Sequence, residues 1–417
     1  MRTEYVQESK ETELPIDDSE AADLDALGKR LASHTTWWGE TDELDEEVPE
    51  KSVVRVRRTP AGKWIVRVID AIGVIAIPGL QIIVKAKIPL DHLLLMFRKA
   101  SYLPRLDEQR AQIEQSPDLF DLIARWFLSR AEDLLRLGLS RDYELESDEV
   151  PSVRGRIEPL KTATHYYTGR LAFDCEYEDF TYNTPLNRLI RAAAQALIGS
   201  ALLPKEIRTR AMRLAARIEE VDDLRPADIR TVIDRRTAHY RDPVLLAKAI
   251  LRSLGRTPLA GGHTGWTFLI RTPEVVEDAV RLLLSEALPD VSVGKIPLQI
   301  TGTSLSLNPD LVFRPLSAIG DVKYKLSTGD WGRTDLYQLV AFATGFRVRH
   351  ALLVRFRDPS VLTCSDLMVG DVRVSECTWP ADSLIPASVA VTQFVHGVRN
   401  WIADCTIVHD RQKAFAH

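Results

Sequence analysis

From Ser52 to Ile88 the chain reads SVVRVRRTPAGKWIVRVIDAIGVIAIPGLQIIVKAKI, a run of alternating and β-branched residues interrupted at Pro60-Ala61-Gly62 and Pro78-Gly79. Alternation with turn residues at those breaks predicts a small antiparallel β module of three or four strands. The period then changes. LDHLLLMFRKAS after Pro89, and PDLFDLIARWFLSRAEDLLRLGL from Pro117 to about Gly138, space their apolar residues three and four apart and predict helices. VPSVRGRIEP interrupts this pattern, LAFDCEYEDF reads as a strand, and a helix is expected to start at Thr184-Pro185, with proline in the first turn. PKEIRTRAMRLAARIEEV and DPVLLAKAILRSLG continue as helices to about Gly255.

GGHTGW, Gly261–Trp266, reads as a boundary or tight loop. Beyond it the pattern predicts a helix over 273–288, strands around 291–300, 304–314 and 318–325, and a helix over 334–345. A strand at RHALLVRF, another strand, and a last helix near Pro386–Asp404 follow. The expectation is an α+β multidomain chain: an acidic, partly disordered segment over 1–50, a β-rich module over 51–100, a mainly helical middle over 101–258, and an α/β domain over 259–417.

Charge modifies this picture at the N-terminus. Residues 1–50 hold 16 acidic and 4 basic residues, while the remainder holds 50 basic and 43 acidic, so a chain of net charge −5 has a mildly cationic body. Residues 1–22 have few large apolar side chains and are expected to be disordered. Leu24, Leu27 and Leu31 are helix-spaced, and with Trp37 and Trp38 they are expected to pack on the β module. The start, MRTEYVQESKETELPIDD, has no basic region followed by an apolar run, so no signal peptide is expected. VIDAIGVIAIPGLQIIV is broken by Asp70, Gly73, Pro78 and Gly79, well short of the roughly 20 uninterrupted apolar residues of a membrane helix. Cys175, Cys364, Cys377 and Cys405 are scattered without a CxxC, which argues against a zinc knuckle or disulfide scaffold and makes a reducing cytoplasm the default.

The chemistry concentrates in NPDLVFRPLSAIGDVKYK, Asn308–Lys325, where an apolar strand pair carries Asp310, Asp321 and Lys323. Side chains two apart share a strand face, so Asp321 and Lys323 project together while Val322 points into the core. Asp310, across the hairpin, can meet that face. Two carboxylates with an amine suit a hard divalent cation, Mg²⁺ or Mn²⁺, with Lys323 orienting a water or stabilising phosphorus. The alternative is surface charge at strand ends. Lys325, on the same face, is a phosphate contact or a solvated strand end. Arg154 and Arg156 flank Gly155 and serve either phosphate or subunit contacts or a structural salt bridge; Asn187 and Arg188 are read as holding the fold.

Pro309-Asp310 and Asp321-Val322-Lys323, within a helix–strand–strand–helix order, resemble the PD-(D/E)XK nuclease core. With AIGVIAIPGLQIIVKAKI, VPSVRGRIEP, YNTPLNRLIRAA, TPEVVEDAVRLLL and DLYQLVAFAT in that order, the chain resembles the McrC family, nuclease subunits of McrBC modification-dependent restriction systems, over roughly residues 53–360. The resemblance implies a restriction-endonuclease-like domain at the C-terminal end and a helix glutamate that completes the metal site. Glu277 matches it, and Glu274 does if the alignment slips. It further implies a glutamine on the next helix, Gln338, and puts Phe342 where relatives usually carry tyrosine. It implies double-stranded, methylated DNA as substrate and a separate McrB-like AAA+ GTPase hexamer as partner, engaged by the β module of 53–88 and the helices after it. No GxxxxGK[ST] occurs in the chain, so the motor is expected to be separate. Two other readings differ in class: a non-enzymatic activator whose nuclease domain is structural, and a DNA-binding or repair nuclease that works without a GTPase.

Overall fold

The computed structural model describes residues 2–33, 52–103, 118–218, 220–258, 264–358, 360–361 and 363–415. The chain forms two compact units, one of residues 1–105 with 256–417 and one of 106–255.

In the first stretch, β1 (Arg2–Gln7), β2 (Thr12–Leu14) and α1 (Asp18–Ser33) precede β3 (Val54–Arg58), β4 (Trp64–Val68), β5 (Ala71–Ile77), β6 (Leu80–Lys85) and α2 (Leu90–Lys99). The expected β module is therefore present, but it is divided between two sheets: β3 and β4 pair with β2, while β5 and β6 belong to a larger sheet in the order β1-β6-β5-β11-β10. The expectation of disorder over 1–22 is overturned. β1 runs parallel to β6 in register from Arg2↔Leu80 to Gln7↔Lys85, and Val6, Leu14 and Ile16 are buried. Composition misled because it averages over a segment whose aliphatic residues Val6, Leu14 and Ile16 face the core, and because its acids meet basic neighbours. Glu11 pairs with Arg57 at 2.6 Å and Glu20 with Arg2 at 3.0 Å. Leu24, Leu27 and Leu31 pack as expected, in one core with Val54, Val66, Val68, Ile75 and Leu80. Trp37 and Trp38 lie outside the described residues.

The second unit holds α3 (Leu119–Leu137), β7 (Asp142–Val150), β8 (Arg156–Ile157), α4 (Pro159–Tyr167), β9 (Phe173–Thr181), α5 (Pro185–Gly199), α6 (Lys205–Ala216) and α7 (Arg241–Ser253). Asp118 caps α3 by accepting from the Asp121 N–H at 2.8 Å, and Gly138, at φ 97°, ends it. Thr184 caps α5 ahead of Pro185. The three-stranded sheet β7-β9-β8 is the departure from a mainly helical reading. β7, DYELESDEV, is acidic and almost entirely exposed, so it has no apolar face to declare itself by alternation. Gly155 (φ 63°) is required where β8 approaches β9, since a Cβ there would sit 2.4 Å from the Glu176 carbonyl oxygen.

Asn187 and Arg188 hold this unit together. Asn187 Nδ2 donates to the carbonyls of Ser140 (3.0 Å) and Tyr182 (2.7 Å), and its Oδ1 accepts from the Tyr240 hydroxyl at 2.6 Å. Arg188 makes a buried two-pronged pair with Asp228, at 2.8 and 2.9 Å. Removing one partner of such a pair strands the other's charge. Asp228→Ala is therefore expected to cost this unit about 3–5 kcal/mol. The urea midpoint of the unit's transition, followed by hydrogen exchange of α5, measures it; a shift too small to detect would show that Asn183 and Glu144 satisfy Arg188 unaided.

The chain returns to the first unit with β10 (Leu254–Pro258), β11 (Thr264–Arg271) and α8 (Pro273–Ala287). β12 (Ser292–Gly294), β13 (Leu298–Gln299), β14 (Ser306–Leu307), β15 (Leu311–Arg314), β16 (Ala318–Leu326), α9 (Arg333–Phe346), β17 (His350–Arg357), β18 (Leu367–Val369), β19 (Val372–Pro380) and α10 (Ala387–Phe415) follow. β11 lies antiparallel on β5, so the stretches read as an N-terminal module and a C-terminal domain share one sheet. Gly73 in β5 makes that close approach possible: a Cβ there would sit 1.9 Å from the Phe268 carbonyl oxygen. The second sheet runs β12-β15-β16-β17-β19-β18, antiparallel from β12 to β16 and parallel from β16 to β19. Phe342 packs with Leu339, Ile319 and Leu353 in the core under α9. Burial pushes the Cys377 and Cys405 thiols up to about 12, and the four cysteines are all free. Among the described residues no helix is long and apolar enough to cross a membrane.

Candidate active site

β15 and β16 form the hairpin read from the sequence, with Leu311 opposite Gly320 and Val312 opposite Ile319. One step further in that register sets Asp310 opposite Asp321. Asp310 is fixed there by the backbone, its Oδ2 accepting from the Val322 N–H at 2.9 Å. Both carboxylates are buried. Lys323 Nζ lies 2.7 Å from Asp321 Oδ2. Lys323 thereby holds the buried Asp321 carboxylate with a charge-assisted contact.

Helix α8 brings in the third carboxylate. Its buried face is Val275, Val276, Ala279, Val280, Leu283 and Leu284, which presses it on the sheet. Glu277 lies beside this face with its side chain 21% exposed, whereas Glu274 is 53% exposed and pairs with Arg271 at 2.8 Å. Of the two glutamates, Glu277 is the one at the cluster. Lys295, just past β12, reaches both sides, with Nζ 3.7 Å from Glu277 Oε2 and 3.6 Å from Asp310 Oδ1. Lys295 went unnoticed in the sequence. Its only signal is a place one residue past an edge strand, and that strand's pairing with β15 is what carries it to Asp310.

The electrostatics are those of a site short of positive charge. Burial, and then the adjacent Asp310, push the Glu277 carboxyl up to about 8 against the pull of Lys295. Burial pushes Asp321 up to about 6, with Lys323 drawing it down and Asp310 adding to the rise. Burial works against the Lys323 ammonium, yet the Asp321 carboxylate outweighs it and Lys323 titrates above an ordinary lysine. No three His, Cys, Asp or Glu side chains among the described residues are already gathered in a metal-holding arrangement. The donors still fit a hard divalent cation: three carboxylates that repel one another in a largely buried place.

The other candidates divide. Lys325 pairs with Asp335 of α9 at 2.5 Å on the face it shares with Lys323. Gln338, on α9, is half-buried. Arg154 belongs to the other unit, where it pairs with Asp179 at 2.6 Å and lies 4.0 Å from the Tyr177 ring centroid, with half of its side chain exposed. Arg156, in β8, is exposed.

Comparison with known proteins identifies the fold. Among solved structures, the refined half-complex from the tetradecameric assembly of Thermococcus gammatolerans McrB AAA+ hexamers with bound McrC contains a similar chain. Its TM-score is 0.66 at 17% identity, over 96% of this chain and 100% of that one. The cryo-EM structure of the Thermococcus gammatolerans McrBC complex gives a TM-score of 0.48 at 17% identity, over 69% of this chain and 88% of that chain. No curated protein matches. A family model described as the McrBC 5-methylcytosine restriction system component matches residues 66–354, more than half of the sequence, and the chain belongs to that family.

Proposed function

We propose that the protein is the endonuclease subunit of a modification-dependent restriction complex, cutting DNA phosphodiesters at Glu277, Asp310, Asp321 and Lys323. The C-terminal sheet with α8 and α9 would be its PD-(D/E)XK nuclease domain. The observation that carries this is the Asp310–Asp321 pair set opposite each other by the hairpin register, with Lys323 beside Asp321 and Lys295 between Asp310 and Glu277 of the helix. Glu277, Asp310 and Asp321 would hold Mg²⁺ or Mn²⁺, which when bound supplies Lewis acidity and an activated water. Asp310 keeps its orientation through the Val322 N–H, so one oxygen remains for the site. Lys323, kept protonated by Asp321, places a positive charge where negative charge on phosphorus grows. Lys325 stands at the exposed end of the same strand as a phosphate contact.

A GTPase partner fits both the family and the absence of a P-loop from this chain. The solved relative is described with McrB AAA+ hexamers, and an equivalent hexamer is the partner we assign here. In the β module of 53–88, β5 is buried along its whole length and β6 is covered by β1 on its outer edge, which leaves β3 and the turn after it as its open surface. A better surface lies on α4 and the turn after it, where Leu160, Tyr166, Tyr167 and Leu171 are each at least 79% exposed. Large apolar side chains gathered in the open mark an interaction site. Replacing Leu160, Tyr167 and Leu171 with serine is expected to leave the melting temperature unchanged. The same variant should weaken partner binding and GTPase stimulation about tenfold or more. Unchanged stimulation would move the interface elsewhere. The proposal as a whole is tested by cleavage of methylated plasmid with partner, GTP and Mg²⁺. Cutting that EDTA stops is expected; cutting that persists in EDTA, or proceeds equally without the partner, would overturn it.

A further inference from the structure

Behind the carboxylate cluster lies a second buried group of polar residues that the proposed chemistry does not use. Glu8, just past the end of β1, is 2% exposed. Its backbone N–H donates to the Lys85 carbonyl at 2.8 Å, which sets its side chain inward. Glu8 Oε1 accepts from the Thr272 hydroxyl and lies 3.8 Å from Lys87 Nζ. Lys87 in turn sits 3.5 Å from Asp70 Oδ1 and 4.2 Å from the Tyr324 ring centroid. Glu8 Oε2 and Tyr324 Oη are both buried, and the two side chains act on each other.

Two of the groups that Glu8 meets, Thr272 and Tyr324, belong to the two elements of the candidate site. Thr272 immediately precedes α8 and stands five residues before Glu277; its N–H also donates to the Asp70 carbonyl at 3.1 Å. Tyr324 follows Lys323 on β16 and points to the opposite face from Asp321 and Lys323. A buried carboxylate and ammonium cost desolvation that an apolar pair of the same size would avoid. What ionic groups offer instead is a fixed direction for the elements they join.

We infer that Glu8, with Lys87 and Thr272, is a positioning residue that fixes the start of α8 against β16 and so sets the distance of Glu277 from Asp310 and Asp321. This rests on the nuclease reading above. The N-terminal strand thereby becomes part of the site's support, although it contributes no group to the site itself.

Mn²⁺ alone, titrated calorimetrically into the full chain, tests the inference, because affinity at a fixed folded fraction reports on carboxylate spacing and is insensitive to a loss of stability alone. Glu8→Ala is expected to weaken Mn²⁺ about tenfold, the lower end of the effect of an outer-shell partner. Glu8→Gln, which keeps an acceptor for Thr272, should recover most of that loss. A folded Glu8→Ala chain with wild-type Mn²⁺ affinity overturns the inference. If Glu8→Ala does not fold, Thr272→Val takes its place with the same criterion and Thr272→Ser as the rescue. Wild-type protein that binds no Mn²⁺ and cuts no DNA overturns the nuclease reading and this role with it, an outcome distinct from wild-type binding that Glu8→Ala leaves untouched.

Discussion

Asp321→Ala is expected to lower DNA cleavage by about 100-fold or more, while partner binding and GTPase stimulation stay at the wild-type level. Loss of an outer-shell partner already costs about 10–100-fold at metal sites, and Asp321 is assigned to the inner shell. Asp310→Ala and Lys323→Ala belong to the same class, since one removes a facing carboxylate and the other the charge 2.7 Å from Asp321. The stability effect should run the other way. Burial raises the folded-state pKa of Asp321 above its ordinary value to about 6, so the folded state binds this proton more tightly than the unfolded one. Stability is therefore lost as pH rises from the ordinary carboxyl range through about 6. Without a divalent cation at pH 7, Asp321→Asn should melt no lower than wild type. An inactive variant that is as stable as its parent is the signature of a site strained for function. Near wild-type cutting by Asp321→Ala would overturn the assignment of the site.

How far the sequence revealed this site depended on how local each signal was. Helix α3 was legible because cap, period and terminating glycine sit inside one short stretch, Asp118 to Gly138. The hairpin was legible for the same reason: alternation sets Asp321 and Lys323 on one face, and a single turn brings Asp310 opposite Asp321. Glu277 needed the family likeness, because nothing in TPEVVEDAV distinguishes a glutamate at a cluster from the exposed, Arg271-paired Glu274 beside it. Lys295 and Glu8 were illegible. Each reaches its partners through strand pairing between distant segments, and register across such a gap leaves no mark in either segment's own pattern. The middle unit was legible, read as 101–258 and folded as 106–255, but the joining of the flanking stretches into one unit left no mark, since β5 and β11 are far apart in sequence and adjacent in the sheet.

Deleting residues 2–16 is expected to unfold the first unit or make it insoluble, with the loss of cleavage as a consequence. Val6, Leu14 and Ile16 are buried in the core that also holds Leu24, Val66 and Leu80. At roughly 1.5 kcal/mol or more for each buried side chain, their loss alone comes to about 5 kcal/mol, a large part of a domain's usual margin of 5–15 kcal/mol. The deletion also bares the outer edge of β6, whose backbone groups β1 now occupies from Leu80 to Lys85, and an apolar edge strand of that length invites pairing between chains. Lys87 would lose Glu8, leaving a buried ammonium with Asp70 as its remaining carboxylate. Soluble yield, melting temperature and cleavage of the deleted chain measure the outcome together. Limited proteolysis supplies the independent check: a strand held in a sheet should resist cutting from its first residues, whereas a solvated acidic tail should be trimmed at once. A deleted chain that melts and cuts like the parent would mean that β1 rests on the sheet without supporting it.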